Sequence, residues 1–366
     1  MHHGTILRMA IETRTPMLVW GPPGCGKTAT IHAIAAALGA HLESIIASIR
    51  EPSDFGGLPV VGADKTVTLA SPAWARRLID TIKRYKILFL DEITTAPPAV
   101  QAALLRVILE GEVGDTSLPR DVAMLAAANP PEYAAGGWDL SPALANRFGH
   151  VPFDLEAGSW VTGMTAGFGA PDMDGDMSAW PLHLAAAHAE VASFIHHRPA
   201  LLLQMPSEEA KQGKAWPSPR TWFMFATMRA AHKASPMAST EGLGQLCACF
   251  VGDAAAQEFY TWFSTMDLPD PEELLAHPSS WTKPNRPDIA FAALSAMTAA
   301  VMANPTPARW LAAWEVLFIC ADRDSMPDVA AVSAKALVAK PIAGTLIPQQ
   351  AFKVFGPMLR AAGKME

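Results

Sequence analysis

The chain has 366 residues, 50% of them hydrophobic and 17% charged, a composition that fits about two to three well-buried domains and excludes disorder over most of its length. Lys and Arg total 28 against 35 Asp and Glu, a formal charge of −7, and no basic run forms a stripe able to track a phosphate backbone. Nucleic acid is therefore not expected as the main partner. The cysteines, Cys25, Cys247, Cys249 and Cys320, match neither a zinc knuckle nor a disulfide framework, so a reducing, cytoplasmic setting is expected. The segment MHHGTILRMAIETRTP lacks the apolar core of a signal peptide. The most apolar later run, Ile289 to Ala303, is shorter than the roughly 20 residues a spanning helix needs, so no membrane association is expected.

In chain order, the first β-prone run is Pro16 to Trp20. It stops at Gly21-Pro22-Pro23-Gly24-Cys25-Gly26-Lys27-Thr28, with Ala29 directly after, and this fits G-x-x-x-x-G-K-[ST] at every fixed position. An alanine-rich helix over Lys27 to Leu38 follows, with Ile31, Ile34, Ala35 and Leu38 at helical spacing and Gly39 as its cap. Strand, glycine loop and helix N-terminus in this order make a phosphate cradle: backbone N–H groups turn inward and the helix end adds partial positive charge. Lys27 would bridge β- and γ-phosphates, and the Thr28 hydroxyl would ligate Mg²⁺. ATP and Mg²⁺ are the cofactors this implies.

A second strand, Ile87 to Leu90, ends in Asp91-Glu92. At the carboxyl edge of a parallel sheet such carboxylates lie beside the phosphate loop, Asp91 as a Mg²⁺ ligand and Glu92 polarising the attacking water; a solvated acidic turn reads the same in isolation. The run Val122 to Ala128 ends in Asn129-Pro130-Pro131, where the Asn129 amide either orients the lytic water or merely starts a turn. Leu140 to Phe148 reads as a short helix begun by Ser141-Pro142 and ending in the basic-aromatic pair Arg147-Phe148, whose Arg147 would close a local ion pair or reach a neighbouring subunit's nucleotide.

GPPGCGKT, ILFLDEI, AAANP and SPALANRF in this order resemble the AAA+ ATPases, and within them the MoxR-type branch, over about residues 1–153. The resemblance implies a P-loop NTPase α/β core, a parallel sheet sandwiched by helices, followed by a helical lid and a further helical extension. It implies Asn129 as sensor 1, Arg147 as an arginine finger acting in trans, and assembly into a homo-oligomer, typically a hexameric ring. Ser48, at the end of a strand read over Glu43 to Ile49, stands where the family often restrains the Walker B glutamate. Residues 50–69 read as a loop and a hairpin turning at Gly62 to Lys65, with Phe55, Gly56 and Gly57 either a mobile pore element or part of a packed connection.

Beyond Phe153 the chain is expected to divide into a linker (154–181), a helical lid (182–267) and a C-terminal helical subdomain (268–366). Gly158 to Asp176 is glycine-, aspartate- and methionine-rich and reads as irregular. Leu182 to Arg198 is amphipathic. Ser218-Pro219 is an N-cap and first-turn pair, which puts Arg220 where the helix dipole disfavours a cation unless an anion faces it; the resemblance makes it sensor 2, from the subunit's own lid. Helices are expected over Pro287–Met302, Pro307–Cys320, Met326–Leu337 and Pro348–Ala362. Trp310 and Trp314 read as core, and His196-His197 lacks ligand-spaced partners for a metal.

The leading functional expectation is a Mg²⁺-dependent ring ATPase that remodels, activates or assembles a protein partner. The resemblance points to a partner with a von Willebrand factor A domain on another polypeptide, because this chain has no DxSxS motif. The alternatives are a nucleic-acid-associated machine of clamp-loader or branch-migration type, which lacks its clustered cations here, and a nucleotide-gated scaffold. A small-molecule kinase is disfavoured by the Asp-Glu pair and the lid arginine.

Overall fold

The computed structural model describes residues 2–133, 137–173, 175–236, 238–266 and 268–361. The chain folds as two units: Met1–Ser178 with Leu203–Gln257, and Ala179–Leu202 with Glu258–Glu366.

The first unit begins with helix α1 (His3–Thr13) and strand β1 (Met17–Trp20), then α2 (Lys27–Ala37), β2 (His41–Ile46) and the single turn α3 (Ser53–Gly56). A hairpin β3 (Leu58–Val61) and β4 (Val67–Ala70), α4 (Ala73–Asp80), β5 (Lys86–Asp91) and α5 (Pro98–Glu110) come next. The short pair β6 (Glu112–Val113) and β7 (Thr116–Ser117) leads to β8 (Val122–Ala128), α6 (Pro142–Ala145), β9 (Gly149–Pro152) and α7 (Ala157–Ala166). The main sheet is parallel, in the order β2-β5-β8-β1-β9. Both faces are covered, which is why β5 and β8 read as unbroken apolar runs. Leu18, Leu88, Leu90, Met124 and Ala126 pack with α4 and α5 residues such as Trp74, Leu78, Val100 and Leu104. The alternate residues Met17, Val19, Ile87, Phe89 and Leu125 are equally buried and point to the opposite face, the one reached by α1.

Edge strand β2 is tied to α4 by a bidentate pair. Arg77 Nε and Nη2 donate to Glu43 Oε1 and Oε2, each at 2.7 Å, and His41 Nε2 lies 2.9 Å from Oε1. Burial pushes the Glu43 carboxyl up, but the hydrogen bonds from Arg77 and His41 outweigh it and hold the group below its ordinary range. Helix α1 is anchored where Arg8 Nη2 and Tyr85 OH donate to Glu12 Oε1 at 2.5 and 2.7 Å.

Two sequence expectations need correction. Residues 157–166, within the stretch taken as linker, form α7. Gly158 and Gly163 hide the pattern, and Gly163 is needed because Phe168 folds onto it, leaving only 2.3 Å between the ring and any Cβ there. The span 182–267 is also not one lid. Helix α8 (Trp180–His197) groups with the C-terminal helices, packing against α13 (Pro287–Ala303), with Phe194 edge-on to Phe259 at 5.2 Å. The short turn α9 (Glu209–Gln212), α10 (Pro219–Ala234) and most of α11 (Thr240–Ser264, broken at Gly252 with φ 76°) group with the sheet. Periodicity marks a helix but not the neighbour its apolar face selects.

The second unit continues with α12 (Pro271–Ala276), α14 (Pro307–Asp322), α15 (Pro327–Ala339) and α16 (Gln349–Ala361). Its core joins Trp281, Leu294, Met297, Trp310, Trp314, Leu317 and Phe355, so both expected core tryptophans are buried. The helices expected over the last eighty residues are present. Helices α5, α6, α10, α12, α13, α14 and α15 each start on a proline, whose fixed φ suits the first helical position and whose missing N–H costs nothing there. No described helix is long and apolar enough to cross a membrane.

Candidate functional site

The loop between β1 and α2 needs its glycines. Gly24 and Gly26 have φ of 78° and 99°, values that a side chain disfavours. At Gly21 the limit is space, since a Cβ would approach Cys25 Sγ to 3.0 Å and Phe153 to 3.2 Å. Pro22, Pro23 and Gly24 are exposed at the tip, and Thr28 and Ala29 open α2, whose first backbone N–H groups have no carbonyl a turn earlier to bond. The Cys25 thiol is buried beneath the loop.

Lys27 is 8% exposed, and its Nζ donates to Gly21 O at 2.6 Å, Pro22 O at 3.0 Å and Asn129 Oδ1 at 2.9 Å. Asn129 directly follows β8, which lies beside β1 in the sheet, so topology brings together residues 102 apart. From the neighbouring β5, Asp91 Oδ2 accepts from Thr28 Oγ1 at 2.6 Å. These two oxygen donors suit Mg²⁺, which takes one or two protein oxygens and completes its shell with phosphate and water. Among the described residues no cluster of three or more His, Cys, Asp or Glu could hold a metal by itself, so phosphate oxygens would complete any Mg²⁺ site here.

Glu92 follows in a left-handed conformation, φ 54°, which costs a non-glycine residue about 1 kcal/mol or more. A turn closed by Thr95 N to Glu92 O at 3.0 Å and a bond from Glu92 N to Asp91 Oδ1 at 2.9 Å hold it there. Its Oε2 accepts from Ser48 Oγ at 2.5 Å. The expected contact is present, although strand β2 ends at Ile46 and the turn Ala47–Ile49 carries Ser48 to the carboxylate. The pore-loop reading of Phe55, Gly56 and Gly57 is overturned for the side chain that would grip: Phe55 is 1% exposed and packs on Trp74. The exposed apolar residues of this region are Leu58, Val60, Val61 and Val67 on the hairpin.

Arg147 and Arg220 meet around Asn146. Ser218 caps α10 with a capping box to Thr221, as its sequence suggests. Arg220 Nη1 donates to Asn146 Oδ1 at 3.4 Å, and Arg147 Nη1 donates to Ala143 O. Burial and then the charge of Arg220 lower the Arg147 pKa. Among the described residues neither arginine pairs with a carboxylate, so the local-ion-pair alternative for Arg147 finds no partner.

Sequence reasoning passed over three features. Asn146 lies inside SPALANRF but was given no role there. His150 on β9 is buried, accepts Trp20 Nε1–H at Nδ1 (2.8 Å) and donates from Nε2 to Ala145 O (3.0 Å), which fixes the neutral tautomer. Burial, then the charge of Lys214, lowers its pKa to about 4, against the pull of the Ala145 carbonyl. A small open cleft of about 60 Å³ at Asn129 is lined also by Trp20, Thr94, Trp138, Asp139 and Lys214, drawn from segments no single motif covers.

A parallel sheet in this order, with a glycine loop after its β1 strand and carboxylates at the tip of β5, is a P-loop NTPase fold with a helical extension. Residues 17–153 match the family model described as ATPase family associated with various cellular activities (AAA). It is 39% identical over 97 residues to the Holliday junction branch migration complex subunit RuvB of Chlorobium phaeovibrioides, covering 26% of this chain and 22% of that protein. It is 36% identical over 105 residues to a protein named replication factor C subunit 5 of Dictyostelium discoideum, covering 28% of this chain and 29% of the relative. The matches thus span under a third of either relative. A solved structure of a candidate ATPase from Cytophaga hutchinsonii is 17% identical with a TM-score of 0.43, covering 72% of this chain and 88% of that one.

Proposed function

We propose that the chain is a Mg²⁺-dependent AAA+ ATPase of MoxR type that assembles into a ring in the cytoplasm and uses hydrolysis to remodel, activate or assemble a separate protein partner. The observation that carries it is the convergence of Lys27, Thr28, Asp91 and Asn129 through bonds of 2.6 and 2.9 Å at the carboxyl edge of the sheet. Residues 21–29 hold the phosphates, with Lys27 moving from the loop carbonyls to the β- and γ-oxygens. Thr28 and Asp91 would hold Mg²⁺, which would supply neutralisation of charge on the phosphates. Glu92 takes a proton from the attacking water, and the Ser48 hydroxyl holds its carboxylate until release. Asn129 orients the water. Arg147 reaches a neighbouring subunit's nucleotide, and Arg220 stabilises the γ-phosphate as its charge shifts to the leaving oxygen. A protein with a von Willebrand factor A domain is the partner class the resemblance suggests.

Glu92→Gln tests this. It is expected to bind ATP and turn over about a hundredfold more slowly, because the proton acceptor is gone. Light scattering with Mg²⁺-ATP is expected to show a multiple of the 39.0 kDa chain mass. Undiminished turnover removes Glu92 from the mechanism, and a monomer with and without nucleotide leaves Arg147 with no neighbouring site. The names of the two curated relatives favour a second reading, a nucleic-acid-associated motor. Against it stand the charge of −7 and the absence of a basic run; salt-dependent DNA binding by the assembled protein would restore it.

A further inference from the structure

We propose that the Asn146 carboxamide is a positioning residue that sets Arg147 and Arg220 as one pair, and that ATP turnover depends on it through those arginines. The inference rests on the ATPase reading above and adds a residue to it. Asn146 is 6% exposed, with its backbone N–H on Pro142 O at 3.1 Å, so the end of α6 fixes its direction. Its Oδ1 accepts from Ser218 Oγ at 2.9 Å and from Arg220 Nη1 at 3.4 Å.

Ser218 is 4% exposed, and its hydroxyl serves both sides: it accepts the Thr221 N–H that opens α10, at 3.1 Å, and gives its proton to Asn146. One carbonyl oxygen with two lone pairs thereby joins the segment ending in Arg147 to the first turn of α10, which carries Arg220. The Asn146 Nδ2 is buried without a partner, so the acceptor end alone makes the link. The two guanidiniums are close enough for the charge of Arg220 to lower the Arg147 pKa. Like charges at that range separate unless something anchors them, and here the anchors are Asn146 Oδ1 for Arg220 and Ala143 O for Arg147. Each arginine, held by its anchor, presents its charge to the phosphate it serves with no reorganisation at the moment of reaction.

The test measures kcat and KM for ATP hydrolysis in the full chain for Asn146→Leu and Asn146→Asp, alone and in the Arg147→Ala/Arg220→Ala background. Leucine fills the space without an acceptor and is expected to lower kcat about tenfold while KM changes less than about twofold. Asp keeps the acceptor and removes the orphaned donor, so it is expected to restore most of kcat. In the double-arginine background Asn146→Leu is expected to cost nothing further, because it acts through groups already absent. Should Asn146→Leu not fold, Asn146→Ala carries the same expectations. The inference is overturned if Asn146→Leu keeps wild-type kcat while the arginine variants lose it. It is equally overturned if the loss is the same in the double-arginine background and Asp does not rescue it, which is a purely structural role. A wild-type protein without ATP turnover overturns the ATPase reading and this inference with it, an outcome distinct from the other two.

Discussion

In the α/β unit Lys27 is nearly buried and its ammonium rests on two carbonyls and an amide, with no carboxylate. In the helical unit Asp288 and Asp324 are as deeply buried, and each is met by an indole N–H and a guanidinium. Trp262 and Arg286 donate to Asp288, and Trp281 and Arg323 donate to Asp324. A buried charge costs free energy unless it is paired. The helical unit closes its charges internally, as a scaffold does. The α/β unit leaves Lys27, Arg147 and Arg220 without a carboxylate partner among the described residues, and cations left in that state gain most from an anionic ligand.

The largest effect expected from this contrast is on Lys27→Ala, which should weaken ATP binding by more than about a hundredfold while the thermal midpoint stays level or rises, because an unneutralised buried cation is removed. Calorimetric titration and a melt check both halves; an unfolded variant would make Lys27 structural and erase the contrast. Next comes His150. Its folded pKa of about 4 lies below the ordinary 6.5, so between those values the unfolded chain binds a proton that the folded chain refuses. Stability should therefore fall as pH drops from about 6.5 toward 4, by on the order of 3 kcal/mol, and level off below. Urea unfolding across that range reads it, and His150→Gln should flatten this part of the profile. The smallest effect is expected in the helical unit: Trp281→Phe takes the 2.7 Å indole bond from Asp324 and should cost about 2 kcal/mol of stability with ATP affinity unchanged. A change in nucleotide affinity would show that the helical unit does more than scaffold.

The phosphate loop, the Asp91-Glu92 strand end and the prolines that start helices were legible because their chemistry is local. A glycine at positive φ, an apolar run ending in carboxylates, or a proline at a first turn depends on neighbours in the chain. Ser48 was reachable through family resemblance, although its strand was drawn three residues too long, since a run of apolar residues does not reveal where extended backbone tightens into a turn. Helix α7 was missed because its glycines depress helix propensity, and the approach of the Phe168 ring that requires Gly163 is not visible in a local pattern. For Phe55 the sequence left a mobile pore element and a packed connection both open, and packing on Trp74, nineteen residues on, decides for the buried one.

The sequence was enough to place the glycine loop, the strand ending in Asp91-Glu92 and most of the helices and strands, because residue type and short-range spacing suffice for these. Tertiary structure alone decided which helices share a core, placing α8 with the C-terminal helices. It also decided that Asn146 would stand between two arginines seventy-three residues apart, and that His150 would stay neutral between Trp20 and Ala145. Those outcomes depend on which long-range surfaces meet and what dielectric they create, and no local pattern in the chain encodes either.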